Sequence, residues 1–306
     1  FITLIIKPLV QYRLRLKNKL INKFIKQLII NYQNDFKLKK RIIDYVSNTY
    51  SLYLVALFFL KYKKPTHLFF VDSNAFHGFI LAGKALNIPT IELQHGSPTK
   101  GKLNYDYSSG ISKKAFPDWF ATFGEFWLKK NILPIQDNKL IHFGFPFFYN
   151  NISKDKKKKS KNSFLIISQL GLTEEMVSFA IELRKNLPEN VEIIFKAHPL
   201  EIFIIEKYKG KLISNSIIIP EVRSNIYFLF EKSNWQLGVY STALYEGLLF
   251  GLKTYILKIK GWEFVEELIK EDLATLVIDP KEVNIFKKEK IVEPSVLFKK
   301  PNHKSL

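Results

Sequence analysis

The feature that most constrains this chain is an alternation. Short apolar runs, each closed by polar residues or glycine, are separated by stretches with helical spacing. In the first half the runs are Thr66–Asp72, Ile91–Leu93, Pro117–Gly124 and Leu140–Gly144, with a helical stretch at Phe79–Leu86 and a turn at Asn87-Ile-Pro89. In the second half strands are expected at 164–167, 191–195, 217–219, 235–239, 254–257 and 274–278. Helices are expected between them at 174–186, 227–232, 243–250 and 263–270. Continuous apolar runs need cover on both faces of a sheet, and a strand–helix–strand order with short turns supplies it. The pattern therefore predicts βαβ units and parallel sheets, an α/β chain of two domains facing a cleft. Residues 151–162, polar and carrying the Lys156–Lys159 run, read as a solvated linker. The expected organisation is an N-terminal domain over 1–150 with a basic helical start, a second domain over 163–280, and a tail or crossover segment over 281–306. Ligands of such sheets bind outside the carboxyl ends of the strands, here toward the cleft.

Composition removes several alternatives. Of 306 residues 47% are hydrophobic and 25% charged, the balance of a globular chain rather than a disordered one. The absence of cysteine excludes a disulfide scaffold, zinc ribbons, iron–sulfur ligation and a thiol nucleophile. No run of apolar residues reaches the length of about 18 needed to cross a bilayer, the longest candidate being Val55–Leu60. The chain begins at Phe1 rather than Met and is expected to be part of a longer one. Its net charge of +19 is uneven: residues 1–50 hold eleven Lys and Arg against two acids. That segment reads as helical, with Leu9, Leu16, Leu20, Phe24 and Leu28 on an apolar stripe. It is expected to be either a core helix or a contact with the anionic inner leaflet, which would make the protein cytoplasmic and peripheral on the inner face of the plasma membrane. Nucleic acid and a phosphorylated small molecule are the other partners such charge permits. The aromatics, however, fall inside expected strands such as Phe69-Phe70 and Phe145–Phe148 rather than interleaving with Lys and Arg, so no specific nucleic acid is expected.

Three strand ends collect residue types that bind phosphate and move protons. Lys196-Ala-His198-Pro199 follows the run 191–195, where proline fixes the turn and His198 can donate to a phosphate oxygen, with Lys196 adding charge. Tyr240-Ser241-Thr242 follows 235–239, and hydroxyls at a helix start either cap it or, with its N–H groups, hold an anion. Glu246, four residues after Thr242 on the same helical face, suits a ribose diol or completes a cap. Ser168 and Gln169, closing the strand 164–167, are further donor contacts. In the first domain Gln94-His95-Gly96-Ser97 follows 91–93, and His95 is expected to act as a base across the cleft, with Asp72 and Asp106 as alternatives. Gly96, Gly124 and Gly144 are expected at cleft turns, Gly96 allowing a positive φ or a close ligand. No Asp-X-Asp triplet occurs, so no bound metal is expected.

In their order and strand-end placement these motifs resemble bacterial GT-B glycosyltransferases of surface-polysaccharide synthesis, nearest to the sialyl- and Kdo-transferase type of capsule and lipooligosaccharide assembly. The resemblance runs from about Thr66 to Ile278. It implies a GT-B-like fold of two Rossmann-like domains facing a cleft, and inverting, metal-independent transfer without a cofactor. The donor it implies is a nucleotide sugar, CMP-linked for preference, and the acceptor a saccharide or lipid-linked saccharide. In that group the His-Pro histidine and the Ser/Thr pair bind donor phosphate, roles that fall on His198, Ser241 and Thr242. The paired-acid-glycine motif that supplies that group's usual carboxylate base is missing from this chain. CDP-glycerol glycerophosphotransferases of teichoic-acid synthesis look similar over the same positions. There the first histidine is the proposed base, which matches His95 in His95-Gly96-Ser97-Pro98-Thr99-Lys100, although Val239 stands where that family has Asp. A UDP-N-acetylglucosamine 2-epimerase is a third reading, without its acidic residues in evidence.

Overall fold

The computed structural model describes residues 36–99, 105, 114–128, 133–151, 162–287 and 293–301. The apolar stripe expected before residue 36, Asp106, Lys100 and the Lys156–Lys159 run lie outside the described residues.

Helix α1 (Phe36–Lys63) lies against α2 (His77–Ala85), with Ala56, Leu60 and Ala82 in a small shared core. Its sequence corrects one expectation. A window within Lys40–Lys63, of mean hydropathy 1.3, is long and apolar enough by length and composition to cross a membrane, and 18% of it is buried here. Counting unbroken apolar runs misses it because uncharged Ser, Thr, Asn and Tyr interrupt the run without making it strongly polar. The first sheet consists of β1 (Leu68–Phe70), β2 (Thr90–Leu93), β3 (Trp119–Thr122) and β4 (Leu140–His142), parallel and in that order. Phe145–Phe148, expected as extended, instead enters helix α3 (Pro146–Asn151). Pro146 is the reason: its fixed φ suits a first helical position and it has no N–H for a ladder.

The second sheet carries six parallel strands. Chain order runs β5 (Ser163–Ile167), α4 (Thr173–Asn186), β6 (Glu192–Lys196), the short helices α5 (Ile202–Ile205) and α6 (Lys209–Ser214), then β7 (Ile217–Ile218). It continues through α7 (Ile226–Lys232), β8 (Ser233–Gly238), α8 (Ala243–Leu249), β9 (Lys253–Leu257), α9 (Glu266–Lys270) and β10 (Thr275–Val277). In space the order is β10-β9-β8-β5-β6-β7, so the winding reverses between β5 and β8 and opens a crevice at their carboxyl ends. Strand β5 is buried along its whole length. Phe164 and Ile166 join the core under α4 with Met176, Val177 and Ala180. Leu165 and Ile167 point the other way, to Phe230, Leu244 and Leu248. Full burial on both faces, worth about 2 kcal/mol for each such side chain, is why this strand reads as a continuous apolar run.

That second core also takes in Phe126 and Trp127 from the first lobe and Leu297 and Phe298 from a returning C-terminal strap, which includes α10 (Pro294–Leu297). The strap is tied to the first lobe by hydrogen bonds from Trp127 Nε1 to the Leu297 carbonyl (2.7 Å), Tyr149 Oη to the Phe298 carbonyl (2.9 Å) and Lys299 N to the Phe123 carbonyl (2.8 Å). Trp127 packs on Tyr245 of α8 with ring centroids 4.5 Å apart, so the lobes meet through aromatic surfaces beside the cleft.

Candidate active site

Between the lobes lies a cavity of about 420 Å³, lined from the first lobe by Leu93, Gln94 and His95 and from the second by Thr242 and Glu246. Of the residues expected to carry the chemistry, the structure brings His95, Thr242 and Glu246 together here. Lys196, His198, Ser168, Gln169 and Ser241 stand at the carboxyl ends of β6, β5 and β8, along the same edge of the second sheet, outside the cavity lining.

On the first-lobe side, Gln94 at the end of β2 is buried and organises the turns around it. Its Oε1 accepts from Thr122 Oγ1 and from Phe123 N, both at 2.8 Å, and its Nε2 donates to the Gly96 carbonyl at 3.0 Å. That clamp fixes the loop bearing His95, whose ring is exposed to the cleft. The next residues dock on the opposite lobe through a hydrogen bond between Ser97 and the buried phenol of Tyr245. Asp72, one alternative base, caps the 3-10 turn Ser73–Phe76 by accepting from Asn74 N at 3.1 Å. Gly124 and Gly144, expected at cleft turns, lie against the C-terminal strap. A Cβ on Gly124 would lie 3.2 Å from Lys299 N, and one on Gly144, at φ +83°, would lie 2.3 Å from Lys299 O. Both glycines make room for the C-terminal strap.

On the second-lobe side the organiser is Glu201, fully buried and missed in the sequence reading. It accepts from Ser168 Oγ at 3.0 Å, from Thr173 Oγ1, and from His198 N at 2.6 Å. Ser168 is therefore corrected from a donor contact to a support, since its hydroxyl is spent on Glu201 and 2% of the residue is exposed. The signal was present as His198-Pro199-x-Glu201, the spacing of a capping box at a turn opened by proline. His198 Nδ1 accepts from Leu200 N at 3.2 Å, which in a neutral ring assigns the proton to Nε2 and leaves that nitrogen as a donor. Gln169 is half-buried, its carbonyl accepting from Leu172 N at 2.9 Å.

Lys196 is a second correction. It is 5% exposed, and its ammonium donates to the carbonyls of Ala197 (3.1 Å) and Val222 instead of meeting the cleft. Burial lowers its pKa, opposed by the charge of Glu201. The expectation failed because β6 is buried on both faces up to its last residue, so Lys196 keeps its ammonium inside the protein. Capping of α8 also differs from expectation. Thr242, at the N-cap, makes no capping bond, while Ser241 Oγ accepts from Ala243 N at 3.3 Å. Glu246 accepts from Tyr227 Oη rather than from the helix start. Burial pushes the Glu246 carboxyl above its ordinary value against the opposing effect of that hydrogen bond, and it pushes the Tyr227 phenol up as well.

Two α/β domains with parallel sheets on either side of a cleft, the second wound in reversing order, define the GT-B architecture. Solved structures share it at low identity. A UDP-N-acetylglucosamine 2-epimerase from Methanocaldococcus jannaschii, in complex with UDP-GlcNAc and UDP, aligns at 17% identity and a TM-score of 0.54, over 77% of this chain and 71% of that one. MurG from Acinetobacter baumannii aligns at 10% identity and 0.52, over 82% and 68%. The glycotransferase of kitacinnamycin aligns at 11% identity and 0.54, over 80% and 71%. No protein-family model and no curated protein sequence matches the chain.

Proposed function

We propose that this chain is an inverting, metal-independent glycosyltransferase that moves a sugar from a nucleotide donor to a bacterial surface-polysaccharide acceptor. The observation that carries the reading is one cavity lined by His95 from one lobe and by Thr242 and Glu246 from the other. On this reading the donor lies in the crevice where the strand order reverses. His198 Nε2 and the hydroxyls of Ser241 and Thr242 meet its phosphate, and Glu246 holds the ribose. His95 accepts the proton of an acceptor hydroxyl as that oxygen attacks the anomeric carbon. The bond from that carbon to the phosphate oxygen breaks on the opposite face, the nucleotide leaves with the electron pair, and configuration inverts. A positioned base of this kind contributes about 10²–10⁴-fold, and fixed donors aimed at the departing phosphate stabilise the charge it gains. The fold shared with a structure that holds UDP-GlcNAc and UDP supports a nucleotide-sugar pocket. The motif resemblance favours a CMP-linked donor.

Calorimetry with CMP, CDP, UDP and GDP tests the reading. One or more should bind, His198→Ala should weaken that binding, and His95→Ala should abolish transfer while binding survives. Preference for CDP would move the reading to glycerophosphate transfer, and no binding to any of the four would sink it.

A further inference from the structure

The cavity has two unlike halves. Thr242 and Glu246 make its second-lobe side polar, but the opposite wall is Leu93, Ala121, Phe123, Phe143 and Phe145, joined by Phe298 of the strap. Val71, 57% exposed, and Phe147, 49% exposed, extend this wall toward solvent. Several polar groups around the wall are already paired. Phe123 N and Thr122 Oγ1 donate to Gln94 Oε1, and Gln94 Nε2 donates to the Gly96 carbonyl. The N–H groups of Phe143 and Gly144 converge on the Thr122 carbonyl, and the Phe123 carbonyl accepts from Lys299 N.

A hydroxyl or a polar ring edge pressed into this wall would be buried with no partner, at about 1–3 kcal/mol for each group. An apolar group meets no such penalty and gains about 25 cal/mol for each Å² it removes from water. The volume, about 420 Å³, lies in the range of small-molecule sites. His95 lines the same cavity, so the apolar occupant belongs to the molecule whose hydroxyl faces His95. We propose that the acceptor carries an apolar group, an alkyl chain or an aryl ring, next to its reacting hydroxyl, and that the first-lobe wall is the subsite for it. The naming of this occupant as the acceptor rests on the transferase reading; the apolar subsite does not.

Trp127 also lines the cavity, so its fluorescence reports occupancy in the full chain. The probes are n-octyl β-D-glucoside below its micelle concentration, 4-nitrophenyl β-D-glucoside and methyl β-D-glucoside. The octyl or the nitrophenyl glucoside should bind at least about tenfold more tightly than the methyl one. A lead for octyl marks a chain as the natural group, and a lead for nitrophenyl marks a ring. Val71→Asp, with its circular dichroism unchanged, should weaken the apolar probes about tenfold. Phe147→Ser serves as the second variant should the first fold poorly. Equal affinity for all three glucosides, or apolar binding untouched by both substitutions, overturns the inference. Nucleotide calorimetry on the same preparation separates the two ideas. Loss of nucleotide binding with the glucoside preference intact removes the transferase reading alone, and the reverse result removes the subsite alone.

Discussion

At the carboxyl end of the second sheet a carboxylate, Glu201, gathers two hydroxyls and a backbone N–H. At the corresponding end of the first sheet an uncharged amide, Gln94, gathers a hydroxyl, a backbone N–H and a carbonyl. Both side chains are buried and both fix the loop that bears a histidine. They differ in what they cost and in what they leave for a ligand. The carboxylate only accepts, so every group it holds must be a donor, and its charge is answered by the ammonium of Lys196 within the protein. The amide both donates and accepts, which closes the hydrogen bonding of its turn and leaves an uncharged, apolar wall in front of it. The difference teaches that Lys196, the cation expected at the site, is part of the scaffold, and that the two walls suit chemically unlike ligands.

The sharpest way to break this comparison is to remove the two organisers. Glu201→Ala leaves two hydroxyls and an N–H unpaired in the interior and should cost about 3 kcal/mol, against about 2 kcal/mol for Gln94→Ala. Urea denaturation of the two variants checks the order, and a larger loss for Gln94→Ala would reverse the ranking of the lobes. A smaller effect is expected at the strap. Gly144→Ala places a Cβ against the Lys299 carbonyl at a positive φ, which should cost about 1–2 kcal/mol. It should also speed protease cleavage within 293–301, and unchanged cleavage would mean that the strap is not held by this contact.

The smallest effect concerns the acid in each lobe that accepts from a tyrosine. Glu92 accepts from Tyr105 Oη at 2.9 Å as Glu246 accepts from Tyr227, and burial raises the Glu92 carboxyl above its ordinary value. The folded chain therefore keeps the Glu92 proton to higher pH than the unfolded chain does. That contribution to stability is complete below the unfolded value and is lost as pH climbs through the folded one. Glu92→Gln removes the dependence, so the variant's melting midpoint should gain on that of the wild type as pH rises from 4 toward 7. Parallel melting curves across that range would refute the assignment.

Much of the fold was legible because its elements are local. Continuous runs such as Phe164–Ile167 announce strands buried on both faces, and the turn after each places its polar residues at one end of a parallel sheet. The same reasoning placed His95, His198 and the Ser241-Thr242 pair at strand ends. It erred where a residue's partner lies far along the chain. Lys196 meets Val222, and Ser168 meets Glu201. The short helices α5 and α6 were missed for a simpler reason, having too few residues to show a period.

By itself the sequence determined the order of strands and helices, the two-lobed α/β class and the residue types at each strand end, since these depend on periodicity and on neighbours a few residues apart. Only the tertiary structure decided which strand ends adjoin, through the reversal between β5 and β8, and which polar groups remain for a ligand once the interior has taken its own. The apolar wall is the clearest case, assembled from positions between 71 and 298 that no local pattern relates. Burial makes a hydrogen bond obligatory but does not say with whom, and the partner is set by where the chain returns.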